Sequence, residues 1–325
     1  MKNKITRRGF GVLAVGALAA PAIAQDTSWP NRPVRIVVPF GAGGSADIAA
    51  RNVAEALSQS LGQPFVVENR PGAGAVIGTD AVAKAAPDGY TLLMMSNTHT
   101  ANETLLPNRP YVLMRDLAAA AAVNVAHHVL AVHPSLGVNS VAELIAKAKA
   151  EPGKIDYASS GPGTPYHIAG EVFRAMAGIE IQHIPFRSSG EARTALISGT
   201  VPMMFDAIPT MQPHVAGGRA KALATTGLKR DPLLPELPTV AEAGLPGYEG
   251  SIWLGLMVPT QVPQPIVAKL NGAVNDWLAR AQTKAAMEKQ GAQPMPMSVA
   301  EFDAFLRKDV ETQRHNVRMA RIEVQ

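Results

Sequence analysis

The chain has 325 residues, no cysteine, and 30 lysines and arginines against 26 aspartates and glutamates, a formal net charge of +4. Without cysteine there are no disulfides, thiolate metal sites or cysteine nucleophiles. The positive surplus is carried by Lys2, Lys4, Arg7 and Arg8 in residues 1–24, which contain no acid, so the rest of the chain is formally neutral and gives no electrostatic reason to bind nucleic acid.

Those first residues read as an export signal. The basic residues precede an apolar stretch, Phe10 to Ala20, and Ala22-Ile23-Ala24 has the small-x-small form of a signal-peptidase site. Thr6-Arg7-Arg8-Gly9-Phe10 has the form of a twin-arginine signal, which exports folded proteins; the alternative is an ordinary Sec signal with two chance arginines. Either route takes the chain, cleaved after Ala24, out of the cytoplasm.

Beyond the signal, the apolar run Val34 to Phe40 empties into Gly41-Ala42-Gly43-Gly44-Ser45, and a helical pattern follows to about residue 60. A strand over 64–68, a helix over 76–85 and a strand over 91–95 complete a βαβαβ unit, punctuated by Arg70-Pro71-Gly72-Ala73-Gly74 and Pro87-Asp88-Gly89-Tyr90. The next apolar run, Leu117 to Val132, is interrupted by Asn124, His127 and His128 and falls short of the roughly 18 residues of a bilayer span, so the mature chain reads as soluble. A second series of strands is expected from His128 to Val132 onward, with a helix over Val141 to Ala150 and a strand over Val201 to Phe205. After a proline-punctuated loop, Leu233 to Thr239, come a strand over Ser251 to Val258, one long helix over Pro265 to Gln290, and a terminal helix from Val299 to about Arg318.

The strand, small polar loop and helix start of residues 34–48 recur three times. Thr91 to Met95 runs into Ser96-Asn97-Thr98-His99-Thr100, Ile155 to Ser159 into Ser160-Gly161-Pro162-Gly163-Thr164, and Ile181 to Pro185 into Phe186-Arg187-Ser188-Ser189-Gly190. In an open α/β sheet such loops lie at the carboxyl ends of strands, where ligands bind. Helix starts offer unpaired backbone N–H groups and a positive dipole end, so several converging on one cleft would hold a small anion. About 300 mature residues suit two domains. The helical terminal part, with no sheet of its own, is expected to pack onto the first unit, giving lobe 1 as residues 25–126 and 252–325 and lobe 2 as residues 127–251, with a hinged cleft between them.

Catalytic chemistry is poorly supported. Gly41-Ala42-Gly43-Gly44-Ser45-Ala46 satisfies G-x-G-x-x-[GA], with Glu68 at the end of the next strand in the place of a ribose-binding acid. Pro39-Phe40 interrupts the tight strand-to-glycine passage of that motif, and an exported enzyme would have to carry its NAD or NADP across the membrane. No G-x-S-x-G exists, so Ser159, Ser160, Ser188 and Ser189 read as loop and capping hydroxyls. His127, His128 and His133 read as strand histidines rather than metal ligands, since neighbours 127 and 128 point to opposite faces and H-E-x-x-H is missing. His167, in a first helical turn, faces either a cleft or the helix surface. Asp47 either touches a ligand or stabilises its helix. Asp206 either accepts from a ligand or caps the following helix, and Arg187 either meets a distal carboxylate or is a solvated charge. No catalytic residue, metal or cofactor is expected.

A resemblance spans almost the whole mature chain. Pro33-Val34-Arg35-Ile36-Val37-Val38-Pro39-Phe40-Gly41-Ala42-Gly43-Gly44-Ser45-Ala46-Asp47, Val66 to Gly74, Ala86-Pro87-Asp88-Gly89-Tyr90-Thr91, Tyr157 to Thr164 with His167, Pro185-Phe186-Arg187, Phe205-Asp206 and Leu237 to Gly244 resemble, in order, the blocks of the Bug family. These are the solute receptors of tripartite tricarboxylate transporters. The resemblance implies an α/β, two-lobed periplasmic binding protein of the Venus-flytrap, type II-like kind, closing over a small carboxylate or a related amide such as nicotinamide. It implies membrane transporter subunits of that type as partners, or a signalling receptor in their place; the neutral mature chain and its self-contained two-lobe design suit a monomer. Carried over by motif, the ligand contacts would be Phe40, Gly41, Ala42, Gly43, Gly44, Asp47, Asn97 and Thr98 from lobe 1, and Ser160, Gly161, Thr164, His167, Arg187, Asp206 and Ala207 from lobe 2. Ala75 stands where the family often has glycine, a change expected only to stiffen a turn. Apolar Ala207-Ile208, where relatives frequently have polar residues, would favour a less polar ligand on that side.

Overall fold

A computed structural model describes residues 29–323; the export signal expected over residues 1–24 lies outside them. In chain order the elements are β1 (Val34–Val38), α1 (Ser45–Leu61), β2 (Phe65–Asn69), α2 (Val76–Ala83), β3 (Thr91–Ser96), α3 (Asn97–Leu105), α4 (Leu113–Asp116), β4 (Leu117–Val132), α5 (Val141–Ala150), β5 (Asp156–Ser159) and α6 (Pro165–Ala177). They continue as β6 (Gln182–Pro185), α7 (Ser189–Ile197), β7 (Met203–Ala207), α8 (Ile208–Ala216), β8 (Lys221–Thr225), β9 (Ser251–Pro259), α9 (Gln264–Ala279), α10 (Ala281–Glu288), β10 (Ala292–Pro294) and α11 (Val299–Met319).

One sheet runs β2-β1-β3-β9-β4-β7-β5-β6, with β8 and β10 also paired to β4. The β1 to β3 set is parallel, β9 is antiparallel to β3 and β4, and β5 is parallel to both β6 and β7. Strand β4 joins the two halves. Its residues Leu117 to His127 pair with β9, and His128 to Val132 pair with β7 and β8. Helices cover both faces, as the alternation of the strands requires. Val34, Ile36, Val38, Leu92 and Met94 belong to one apolar cluster with α1 and α9, whereas Val37, Leu93 and Met95 belong to another with Phe302 and Leu306 of α11. Ser188, Ser140 and Ser298 cap α7, α5 and α11 through the N–H three residues on, each worth about 1 kcal/mol.

Several sequence expectations shift. The strand expected from His128 begins eleven residues earlier, at Leu117, because Ala118 to Ala122 have little β-propensity yet gain buried sheet pairing on β9. The helix expected over 265–290 is two, since Arg280 takes an extended conformation, φ −63° and ψ 132°. The expected strand 201–205 is displaced to Met203–Ala207, so Asp206 lies inside it. Ser96 to Thr100 is no loop: α3 starts directly at Asn97. Ala75 does more than stiffen its turn, for it is left-handed, φ 77°, a conformation that costs a non-glycine residue about 1–2 kcal/mol. Among the described residues no helix is long and apolar enough to cross a membrane, and no cluster of histidine and acidic side chains could hold a metal ion.

Where β4 passes from one half to the other, His128 is buried, its ring 5.1 Å from that of Tyr166, and neither ring nitrogen has a protein partner. Burial drives its pKa down to about 3. The folded pKa is below the unfolded one, so the unfolded chain takes the proton first and stability is lost as pH falls from about 6.5, at up to about 1.4 kcal/mol per pH unit. Replacing the imidazole with an apolar ring of similar shape removes both this linkage and the burial of unpaired nitrogens. His128→Phe is therefore expected to be more stable than wild type, with the difference in urea midpoint widening as the pH is lowered from about 6.5 to about 4.5. A constant difference across that range would show that His128 is not buried neutral.

Candidate functional site

Four helix starts meet between the two halves. Gly44 and Ser45 open α1, Ser96 and Thr98 belong to the start of α3, Pro165 and Tyr166 open α6, and Ser188 and Ser189 open α7; together they line a cavity of about 30 Å³, room for roughly two water molecules. The starts of α3 and α7 are capped by Ser96 and Ser188, but those of α1 and α6 have no side-chain cap. The first-turn N–H groups of α1, and those following Pro165 in α6, which itself has none, are left to whatever occupies the space, and the helix dipoles make it favourable to an anion. Thr98 is fully buried on the cavity wall, and its hydroxyl has no protein partner. No charged side chain lines the cavity, so its electrostatics come from the backbone.

The two halves are closed upon it. A Cβ on Gly41 would stand 2.7 Å from Cβ of Ser188, and one on Gly44 would stand 2.9 Å from Oγ of Ser189. At position 41 the clash is carbon against carbon and only glycine fits this arrangement, whereas at position 44 the Ser189 hydroxyl would have to turn away. Ser45 Oγ and Tyr166 OH form a hydrogen bond of 3.0 Å across the gap. Phe40 and Ser160 line both this cavity and a chamber of about 710 Å³. The chamber is walled by the 71–76 loop, by Leu105 and Leu106, by the 160–164 loop with His167, and by Phe186, Arg187 and Ile322.

Histidines support the 160–164 loop. His167 Nδ1 accepts from the Gly163 N–H at 3.1 Å, which leaves its proton on Nε2. Its ring lies 4.1 Å from that of His183, whose Nε2 is 2.6 Å from Ser159 Oγ. Burial holds His167 down at about 4 and His183 at about 3, so near neutral pH both are uncharged and act as rigid supports rather than as anion receptors.

Of the residues singled out from sequence, Phe40, Gly41, Gly44, Thr98 and Ser160 come together on the small cavity, and Ser160, Gly161, Thr164, His167 and Arg187 on the chamber. Ala42 and Gly43 line neither. The Gly43 N–H is already taken, donating to Asp47 Oδ2 at 3.0 Å. Asp47 also binds Arg51 at 2.9 Å and Asn69 at 3.0 Å. Burial raises its pKa, but these bonds outweigh it and the net shift is downward. It locks the glycine loop and does not face the cavity. Asn97 Nδ2 donates to Ser251 O, fastening α3 to β9. Asp206 is fully buried, its Oδ2 accepting from Arg193 Nε at 2.7 Å and from Thr210 at 3.0 Å; burial raises its pKa against the pull of Arg193. Ala207 lines a separate cavity of about 40 Å³ with Asn124 and Thr210. Sequence reasoning missed Tyr166, Leu105, Leu106 and Ile322, and it gave Ser188 and Ser189 only capping roles.

The model of the tripartite tricarboxylate transporter family receptor matches residues 49–320. BugT of Bordetella pertussis is 37% identical over 301 residues, 92% of each chain. Among solved structures, an R. palustris protein with adipate is 33% identical with a TM-score of 0.88, over 90% of this chain and 98% of that one. The periplasmic binding protein BugD is 33% identical with a TM-score of 0.87, over 91% of this chain and all of that one. MatC of Rhodopseudomonas palustris, with bound malate, is 30% identical with a TM-score of 0.85, over 89% and 100%.

The Ser45–Tyr166 bond joins the start of α1 to the start of α6 across the cavity. Its removal in Tyr166→Phe is worth about 0.5–1.5 kcal/mol, enough to shift the population toward an open form. Small-angle scattering is expected to give a larger radius of gyration than wild type with an unchanged far-UV spectrum; an unchanged radius would mean that this bond does not hold the halves together.

Proposed function

The chain belongs to the tripartite tricarboxylate transporter receptor family, and from that premise we propose that it captures a small carboxylated metabolite between two lobes and delivers it to the membrane subunits of such a transporter. The observation that carries the ligand class is the pair of uncapped helix starts, α1 and α6, facing one cavity with the unpartnered Thr98 hydroxyl and no charged side chain. That donor set suits a carboxylate, and relatives of the same fold were solved with adipate and with malate. Of the contacts expected from sequence, Phe40, Gly41, Gly44, Thr98 and Ser160 would surround the carboxylate. Gly161, Thr164, His167 and Arg187 would face the rest of the ligand.

The mechanism is capture by closure. In an open form each lobe offers two helix starts to solvent, and an anion that touches both sets stabilises the closed form by its differential affinity. The lobes divide where β4 changes partners, between His127 and His128. The chain acts as a monomeric receptor without chemistry of its own, exported by the signal in residues 1–24 and working in the periplasm, as BugD does. The rival dinucleotide reading has little room: Gly41 and Gly44 pack against Ser188 and Ser189, and Glu68 is engaged by Arg35 at 3.1 Å.

Protein stripped of bound ligand by partial unfolding and refolding is expected to gain several degrees of thermal midpoint with a carboxylate and none with NAD or NADP, since binding to the native state alone raises stability. A gain with the dinucleotides alone would refute the receptor reading. Gly41→Val obstructs closure without touching either core, and is expected to lower carboxylate affinity by roughly tenfold or more, about 1.4 kcal/mol or above, by calorimetry. Unaltered affinity would show that the ligand does not require the closed form.

A further inference from the structure

Capture of a carboxylate needs only the small cavity, yet Phe40 and Ser160 open from it into a chamber of about 710 Å³. An apolar cavity of about 150 Å³ already holds a benzene molecule, so the chamber has room for an aromatic ring several times over. Its wall is apolar in kind, with Leu105, Leu106, Val76, Phe186 and Ile322 around it. Of the charges that reach it, Arg109 is largely buried and neutralised by Glu103, while Arg187 and Glu323 are exposed. A short di- or tricarboxylate could reach the exposed Arg187 with its second carboxylate but would leave the Leu105, Leu106, Val76 and Ile322 wall wetted. An apolar group removes the same wall from water with benefit.

We propose, resting on the receptor reading, that the ligand is a carboxylate carrying an apolar body at least as large as an aromatic ring. Its carboxylate sits among the helix starts beside Thr98, and its body lies past Phe40 against Leu105, Leu106 and Phe186. Phe40 is the selector between the two spaces, since its ring meets any group that leaves the polar cavity. Specificity then comes from the chamber, and the polar cavity serves every carboxylate alike.

The test is calorimetric titration of the purified, stripped protein with benzoate, 3-phenylpropanoate, octanoate, malate and adipate. The apolar-bodied acids are expected to bind roughly tenfold or more tightly than malate. Leu106→Trp, which fills the chamber, and Leu106→Asn, which makes it polar at nearly constant size, should each weaken 3-phenylpropanoate by roughly tenfold while changing malate by less than about twofold. Malate or adipate binding more tightly than every apolar-bodied acid would overturn the chamber assignment and leave the receptor reading standing, as would 3-phenylpropanoate affinity indifferent to both variants. If none of the five acids binds, the receptor reading itself falls.

Discussion

Four helix starts are aimed at one small cavity, and much else in this structure follows from that constraint. Four strand-to-helix turns are needed, two from each side of the cleft. The turns approach one another closely, which is why glycine stands at 41 opposite Ser188. The starts of α1 and α6 carry no side-chain cap, which gives up roughly a few tenths of a kcal/mol at Gly44 and about 1 kcal/mol at Thr164. A binding site made in this way is weakly committed to any one acid. Under the proposed function, discrimination among acids falls to the walls of the adjoining chamber.

Much of this was legible in the sequence. Val34 to Ser45 announces a buried strand, a glycine loop and a helix start, repeated at 155–164 and 181–190 and, without the loop, at 91–100, and such helix starts gather at strand ends. What failed was the assignment of charged groups. An acid at the start of a helix after a glycine loop serves the loop as well as a ligand, and Asp47 serves the loop. The signal that could have decided it was present, because Arg51 follows at the i,i+4 spacing that pairs side chains on one helix face. Asp206 had no such local sign, since its partner Arg193 lies on a different element and only the packing of α7 against β7 brings them together.

The apolar residues of the chamber were hidden for another reason. Leu105, Leu106 and Ile322 have the hydropathy of core residues, and no periodicity distinguishes a leucine that faces a cavity from one that faces a neighbouring helix. Alanine concealed β4 in the same way: Ala118 to Ala122 lack the β-branched signature of a strand and form one because β9 pairs beside them. Of the histidines, His128 was read as an ordinary strand residue, His167 was left between cleft and helix surface, and His183 gave no sign; all three are held uncharged by burial near neutrality.

The long pairing of β4 with β9 has a consequence for how the chain comes to be folded. Leu117 meets Pro259 and His127 meets Ser251, so the first half of the sheet cannot be completed until the whole intervening chain has been synthesised and has folded out of the way. Contacts of such sequence separation carry a loop-closure cost before they return any stabilisation, and chains dominated by them fold slowly. While that closure is pending, β3 presents an open apolar edge of the kind that pairs with other chains. Biogenesis is thus the vulnerable period for this molecule, and the time between emergence of β3 and arrival of β9 is the interval during which it most needs protection from aggregation.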